Sequence, residues 1–138
     1  MTSAKQIMQS KLLPLAARNP ENRLRNALAD QVVFHSPVRD YHGRADVAHI
    51  LMTIGAVLDA IEIESQLVVD RQVVTVIRTV HAEERMSGVL SETHDSLVRV
   101  EHATLLLRPL SALLSAIAAM RTALERSPLP NALATRNG

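Results

Sequence analysis

The stretch Val47-Ala48-His49-Ile50-Leu51-Met52-Thr53-Ile54-Gly55-Ala56-Val57-Leu58-Asp59-Ala60-Ile61-Glu62-Ile63-Glu64 changes its period partway along. Apolar residues recur at Val47, Ile50, Leu51, Ile54, Val57, Leu58 and Ile61, intervals of three and four that put one face of a helix into a core and leave His49, Thr53 and Ala56 on the other. From Ile61 the alternation Ile-Glu-Ile-Glu is that of a strand. The spacing therefore predicts a helix over Val47 to Ala60 followed by strands. Gln72 to Glu84, rich in Val and Thr, and Met86 to Val100 supply two more, joined near Asp70-Arg71 and Glu84-Arg85. A further apolar run, Ala103 to Leu107, ends at Arg108-Pro109. Leu110, Leu113, Leu114, Ile117, Arg121 and Leu124 then mark one stripe of a C-terminal helix, with Pro109 as its first residue.

Upstream, Ser3 to Arg18 has helical composition interrupted at Pro14, and Asn19-Pro20-Glu21 reads as the cap and first turn of a short helix to about Leu28. Val32-Val33-Phe34-His35-Ser36-Pro37 is a strand closed by proline, and Val38 to Gly43 a loop. Helices segregated from a run of consecutive strands predict an α+β fold with an antiparallel meander. One domain is expected over residues 1–126, with a flexible tail over 127–138.

Composition excludes several classes of activity. A chain of 138 residues, 47% hydrophobic and 21% charged, is sized for one self-sufficient core. There is no cysteine, hence no disulfide, thiol nucleophile or thiolate metal site. Fifteen basic against fourteen acidic side chains, without a basic cluster, argue against nucleic-acid binding. Phe34 and Tyr41 are the only aromatics, too few for a base-stacking platform. No stretch approaches the roughly 20 apolar residues of a membrane span, and no signal-type apolar run follows the N-terminus. A soluble, cytoplasmic protein with no membrane partner and no cofactor is expected.

The order of elements, with Leu28-Ala29-Asp30-Gln31-Val32-Val33-Phe34-His35-Ser36-Pro37-Val38 and Tyr41-His42-Gly43-Arg44-Ala45-Asp46-Val47, resembles the NTF2-like superfamily, in particular its SnoaL-like members, over residues 20–125. The resemblance implies a curved antiparallel sheet wrapped as a cone around an apolar pocket. Arg108-Pro109-Leu110 before an apolar helix is similar to a subgroup of uncharacterised bacterial members. The superfamily contains ketosteroid isomerases, polyketide cyclases, limonene epoxide hydrolases and scytalone dehydratases beside non-catalytic binding and dimerisation modules, so membership leaves the chemistry open. The position of the isomerase base, directly before the strand-ending proline, is Ser36, which abstracts no proton without an activating base. The isomerase tyrosine would fall near Leu12. The family's late-strand pocket aspartate matches Asp95, while Thr93 stands where epoxide hydrolases carry arginine. No Asp-Gly turn follows Asp95, so an irregular hairpin around Glu101-His102 is expected.

The candidate site follows from these matches. If Asp95 lies on the pocket wall, burial would raise its pKa and suit it to acid–base work; the alternative is a surface carboxylate paired with Arg78 or Arg99. His35 is the second catalytic candidate, although alternation sets it opposite Phe34 and Ser36 and so equally suits a hydrogen-bonding role. Phe34, Ile54 and Leu58 are expected as pocket walls. Ser36 and Tyr41 are expected as polar contacts, with turn capping and loop anchoring as their alternatives. His81 with Glu83, and His94 with Asp95, lack metal-ligand spacing, so no metal is expected. The function that fits is binding of a small apolar molecule, polyketide-, terpenoid- or steroid-like, with proton-transfer chemistry if the protein is an enzyme; the alternative is a non-catalytic ligand-binding or dimerisation module. A homodimer is expected through an outer sheet face carrying Val73, Thr75, Ile77, Thr79 and His81.

Overall fold

The structure, a computed structural model, describes residues 10–12 and 21–131. In chain order these form α1 (Glu21–Asn26), β1 (Leu28–His35), β2 (Asp40–His42), α2 (Arg44–Val57), β3 (Asp59–Val69), β4 (Gln72–His81), β5 (Glu84–His94), β6 (Val100–Arg108) and α3 (Leu110–Arg126). The six strands make one sheet in the order β2-β1-β6-β5-β4-β3. Every neighbouring pair is antiparallel except β1 with β6, which run parallel. The expected α+β architecture is the one observed. The helix expected from Val47 begins three residues earlier and ends at Val57, and β1 starts at Leu28 rather than Val32. The proposed helix over Ser3 to Arg18 lies almost wholly outside the described residues.

Turn chemistry sets the register of the meander. β4 and β5 are joined by Ala82-Glu83, both with positive φ (48° and 68°), the left-handed pair that a two-residue hairpin needs to match strand twist. Asp70 (φ 53°) does the same service between β3 and β4. The β5–β6 turn runs from Asp95 to Arg99: the Asp95 amide donates to the Arg99 carbonyl at 2.8 Å and the Val98 amide to the Asp95 carbonyl at 3.0 Å. Val98 there has φ 61°, a conformation that costs a β-branched residue strain. The irregularity expected at Glu101-His102 thus sits in this turn and at a register shift between Thr93 and His94, while Glu101 and His102 are ordinary residues of β6.

Helix α2 crosses the concave side of the sheet. Gly43 precedes it with φ 86° and ψ 153°, a conformation costly for other residues, and the Val47 amide closes the first turn onto the Gly43 carbonyl at 3.0 Å. Val47, Ala48, Ile50 and Leu51 bury themselves against Val32, Phe34, Ile77, Leu90 and Leu105 of the sheet. Across the other end, Leu58 and Met86 gather with Ala112 and Ala116 of α3. Gly88 of β5 lets the sheet close at this point: a β-carbon there would collide with the Leu106 carbonyl oxygen and stand 2.7 Å from Leu107 Cδ2.

The concave face of β4 carries Val73, Thr75, Ile77 and Thr79, all buried. This overturns the expectation that these residues form the outer face. The convex face instead presents the cross-strand row Val76, Val89 and Leu106, with Leu67 and Val74 beside it. Leu106 and Leu67 are 60% and 62% exposed.

Candidate functional site

A cavity of about 200 Å³ lies where α2 and α3 meet the sheet. Ile50, Ile54 and Val57 of α2, with Leu58 just beyond its end, form one wall, and Leu105 and Leu107 of β6 form the floor. Helix α3 closes it with Leu113, Ile117, Met120 and Leu124, residues spaced three and four apart and so on one helical face. Two members of the stripe expected on α3, Leu110 and Leu114, point away from it and are exposed. The last side of the cavity is the segment from Ser36 to Arg39, with Tyr41.

The expected wall and contact residues divide in a way set by strand geometry. Ile54, Leu58, Ser36 and Tyr41 line the cavity. Phe34 does not: it is wholly buried in the core, where its ring stacks on Tyr41 with centroids 6.2 Å apart. Ser36 is used by its own turn, its hydroxyl donating to the Arg39 carbonyl (2.8 Å) and accepting from the amides of Val38 (3.1 Å) and Arg39 (3.0 Å). It caps the turn made by Pro37, as one of the two expectations had it. The Tyr41 ring is covered by the Arg39 guanidinium at 5.0 Å, and burial pushes its phenol pKa up, against a smaller opposing pull from Arg39. No hydrogen bond engages the Tyr41 hydroxyl among the described residues, and that oxygen is not one of the sealed-off unpartnered atoms.

Neither catalytic candidate reaches the cavity. Asp95 stands at the start of the β5–β6 turn, beyond the end of β5. Its Oδ1 accepts from the amides of Leu97 and Arg99, both at 2.9 Å, and its Oδ2 from Arg99 Nε at 3.2 Å. The backbone hydrogen bond from Arg99 is the largest cause holding its carboxyl below the usual aspartate value, the opposite of the raised pKa that a buried acid would show. The alternative pairing with Arg99 is the one present, and Arg78 pairs with Glu64 instead. His35 is set opposite Phe34 by the strand period. Its Nδ1 lies 2.7 Å from Asp40 Oδ1 and its ring stacks on His102, centroids 6.4 Å apart. Among the described residues no three His, Asp or Glu side chains converge as metal ligands would.

The sequence reading gives no functional role to Arg39 or to Arg121, which it sets on the α3 stripe, and does not pair Glu92 with His94, both entirely buried on the concave face; the two arginines are the charged residues on the described cavity wall. Glu92 accepts the Ser10 hydroxyl at Oε2 and the Lys11 amide at Oε1 (2.8 Å), and His94 Nε2 lies 3.4 Å from Oε1. The signal for that pair was present: alternation from the buried Leu90 places Glu92 and His94 inward.

No protein-family model and no curated protein matches the sequence. Solved structures do. The chain is similar to an uncharacterised protein with a cystatin-like fold from Silicibacter pomeroyi, at 18% identity and TM-score 0.79, over 85% of this chain and 84% of that one. It is similar to a steroid delta-isomerase from Pseudomonas aeruginosa, at 26% identity and TM-score 0.76, over 82% and 85%. An NTF2-like protein of unknown function from Burkholderia xenovorans superposes with TM-score 0.64 at 11% identity, over 78% and 86%. Among the described residues no helix is long and apolar enough to cross a membrane.

Proposed function

We propose, starting from the NTF2-like fold of this chain, that it is a binding protein for a small apolar molecule held in the cavity between α2, α3 and the sheet. The observation that carries this reading is the character of the wall: aliphatic side chains from three elements, with no carboxylate and no imidazole among the described lining residues. A concave apolar site with a few polar groups at one side is what small-molecule recognition requires. Proton abstraction or delivery at neutral pH requires a group of suitable pKa within hydrogen-bond reach of the ligand, and among the described residues the wall offers a serine hydroxyl, a phenol and two guanidiniums. The similarity to a steroid delta-isomerase supports a small-molecule role, and the lining residues favour binding over isomerisation.

The test uses a feature of the composition. Tyr41 is the only tyrosine and there is no tryptophan, so the intrinsic fluorescence reports on a cavity residue alone. Short apolar ligands are expected to perturb that emission saturably, and Ile54→Phe or Ala116→Leu, which fill the cavity, to abolish the effect while circular dichroism stays unchanged. Binding that survives a filled cavity would overturn the proposal.

A second reading concerns assembly. The apolar convex row of Val76, Val89 and Leu106, flanked by Leu67, favours pairing of two copies across a two-fold axis, since such a row meets its own copy in self-complementary fashion. Light scattering at micromolar concentration is expected to give a dimer, and Leu106→Lys a monomer of the same fold. A monomeric parent protein would end this reading.

A further inference from the structure

Four arginines are matched by carboxylates: Arg25 by Glu21, Arg44 by Asp30, Arg78 by Glu64 and Arg99 by Asp95. The two arginines that line the cavity are not. Arg39 and Arg121 are the only charged residues of its wall, and neither guanidinium has a carboxylate partner among the described residues. The same wall carries Tyr41, whose hydroxyl has no hydrogen-bond partner among the described residues and, with an ordinary pKa of about 10, is protonated at neutral pH. A site with three donor groups, two of them cationic, and no side-chain carboxylate is complementary to a single anionic group attached to an apolar body.

Two further features narrow the class. The lining from α2 begins at Ile50 and that from α3 at Leu113, whose amide is already bonded to the Pro109 carbonyl, so the free amides of neither helix N-terminus are among the lining groups of the described residues. Guanidinium forks match a planar carboxylate directly. The volume, about 200 Å³, lies below the roughly 300–1,000 Å³ of sites that enclose drug-sized ligands. It suits a short acyl chain or one ring rather than a four-ring skeleton. Resting on the ligand-binding reading above, we infer that the cavity takes a small amphipathic monocarboxylate, its apolar body between α2 and α3 and its carboxylate toward Arg39, Arg121 and Tyr41.

The test compares octanoate with 1-octanol, which share a chain and differ in the head group, by isothermal titration of the full-length protein and of the Arg39→Gln/Arg121→Gln double variant. Both arginines are exposed, so the double variant is expected to keep the parent circular dichroism and melting temperature. Octanoate is expected to bind at least about tenfold more tightly than 1-octanol, a difference of about 1.4 kcal/mol. That advantage should vanish in the double variant and shrink as salt rises from 50 to 500 mM, with 1-octanol unaffected by either change. Equal affinities for octanoate and 1-octanol would overturn the carboxylate inference and leave the ligand-binding reading standing. Binding of neither would overturn both. A steroid carboxylate that binds as tightly as octanoate would overturn the limit on size.

Discussion

Replacing Glu92 by alanine removes the carboxyl that fastens residues 10–12 to the concave face of β5. The parent side chain is 0% exposed and accepts from the Ser10 hydroxyl and the Lys11 amide, with His94 Nε2 at 3.4 Å. A buried donor that loses its acceptor costs about 1–3 kcal/mol, and breaking a buried charged or hydrogen-bonded cluster from one side about 3–5 kcal/mol. Water can reach the Lys11 amide if the segment lifts, so the loss is bounded by the docking energy of residues 10–12, which includes the fully buried Leu12. Balancing these, Glu92→Ala is expected to lose about 3 kcal/mol, which for a domain of this size lowers the melting temperature by roughly 10 °C. Glu92→Gln keeps the volume and an acceptor for the Lys11 amide, so less than half of that loss is expected. Urea denaturation followed by circular dichroism measures both variants, and proteolysis at Lys11 reports whether the segment has detached. A change within about 0.5 kcal/mol for Glu92→Ala, the range of ordinary surface substitutions, would refute the reasoning.

Val98→Gly is expected to stabilise the protein by about 1 kcal/mol, because the left-handed conformation of the β5–β6 turn costs valine more than the added chain entropy costs glycine; urea midpoints check it. The Tyr41 phenol, raised by burial, is expected to ionise at a midpoint above its ordinary value of about 10, read from phenolate absorbance. Its contribution to stability is complete below pH 10 and is lost as pH rises from there through the folded-state value. Asp95 works in the opposite sense. With its folded-state pKa depressed by the hydrogen bonds from Arg99 and Leu97, its contribution is complete above the ordinary carboxylate value of about 4 and disappears as pH falls through the lower folded value. A carboxyl NMR titration should find its midpoint below that of an exposed aspartate, and Asp95→Asn should flatten the acid limb of the stability profile.

Period carried most of the fold. The helical intervals from Val47 reflect the buried face of α2, and four of the six stripe positions on α3 line the cavity; the alternation from Ile61 marks a strand although no residue of β3 is buried. Where both faces of a strand are apolar, spacing is silent: Val73-Val74-Thr75-Val76-Ile77 alternates between two acceptable surfaces, and the inner one was read as the outer. Strand β2, three residues long, is too short to show any period. Asp95 was placed in a strand because Val98 hides a left-handed turn that glycine or asparagine would have announced. The cavity's aliphatic walls at Ile54 and Leu58 were legible as a helical face. Arg121 was legible as a position on the α3 stripe, but that it and Arg39 line the cavity with no carboxylate partner was not, since an unpaired charge on a wall is defined by what does not face it, and that is a property of three-dimensional arrangement.

The parallel seam between β1 and β6 bears on how the molecule comes together. Strands β3 to β6 follow one another through tight turns and can zip by local steps, whereas Leu28 meets Val100 about seventy residues later, after a long loop has been closed at an entropic cost. The seam therefore belongs late in folding, after the meander. Until it closes, the segment from Ser36 to Tyr41 has no fixed place against β6 and α3, so the cavity is completed only at the final stage. An interaction made only in the finished molecule is absent from the rate-limiting state, and it slows unfolding without speeding folding. Occupancy of the cavity should accordingly prolong the lifetime of the folded chain and leave its refolding rate where it was.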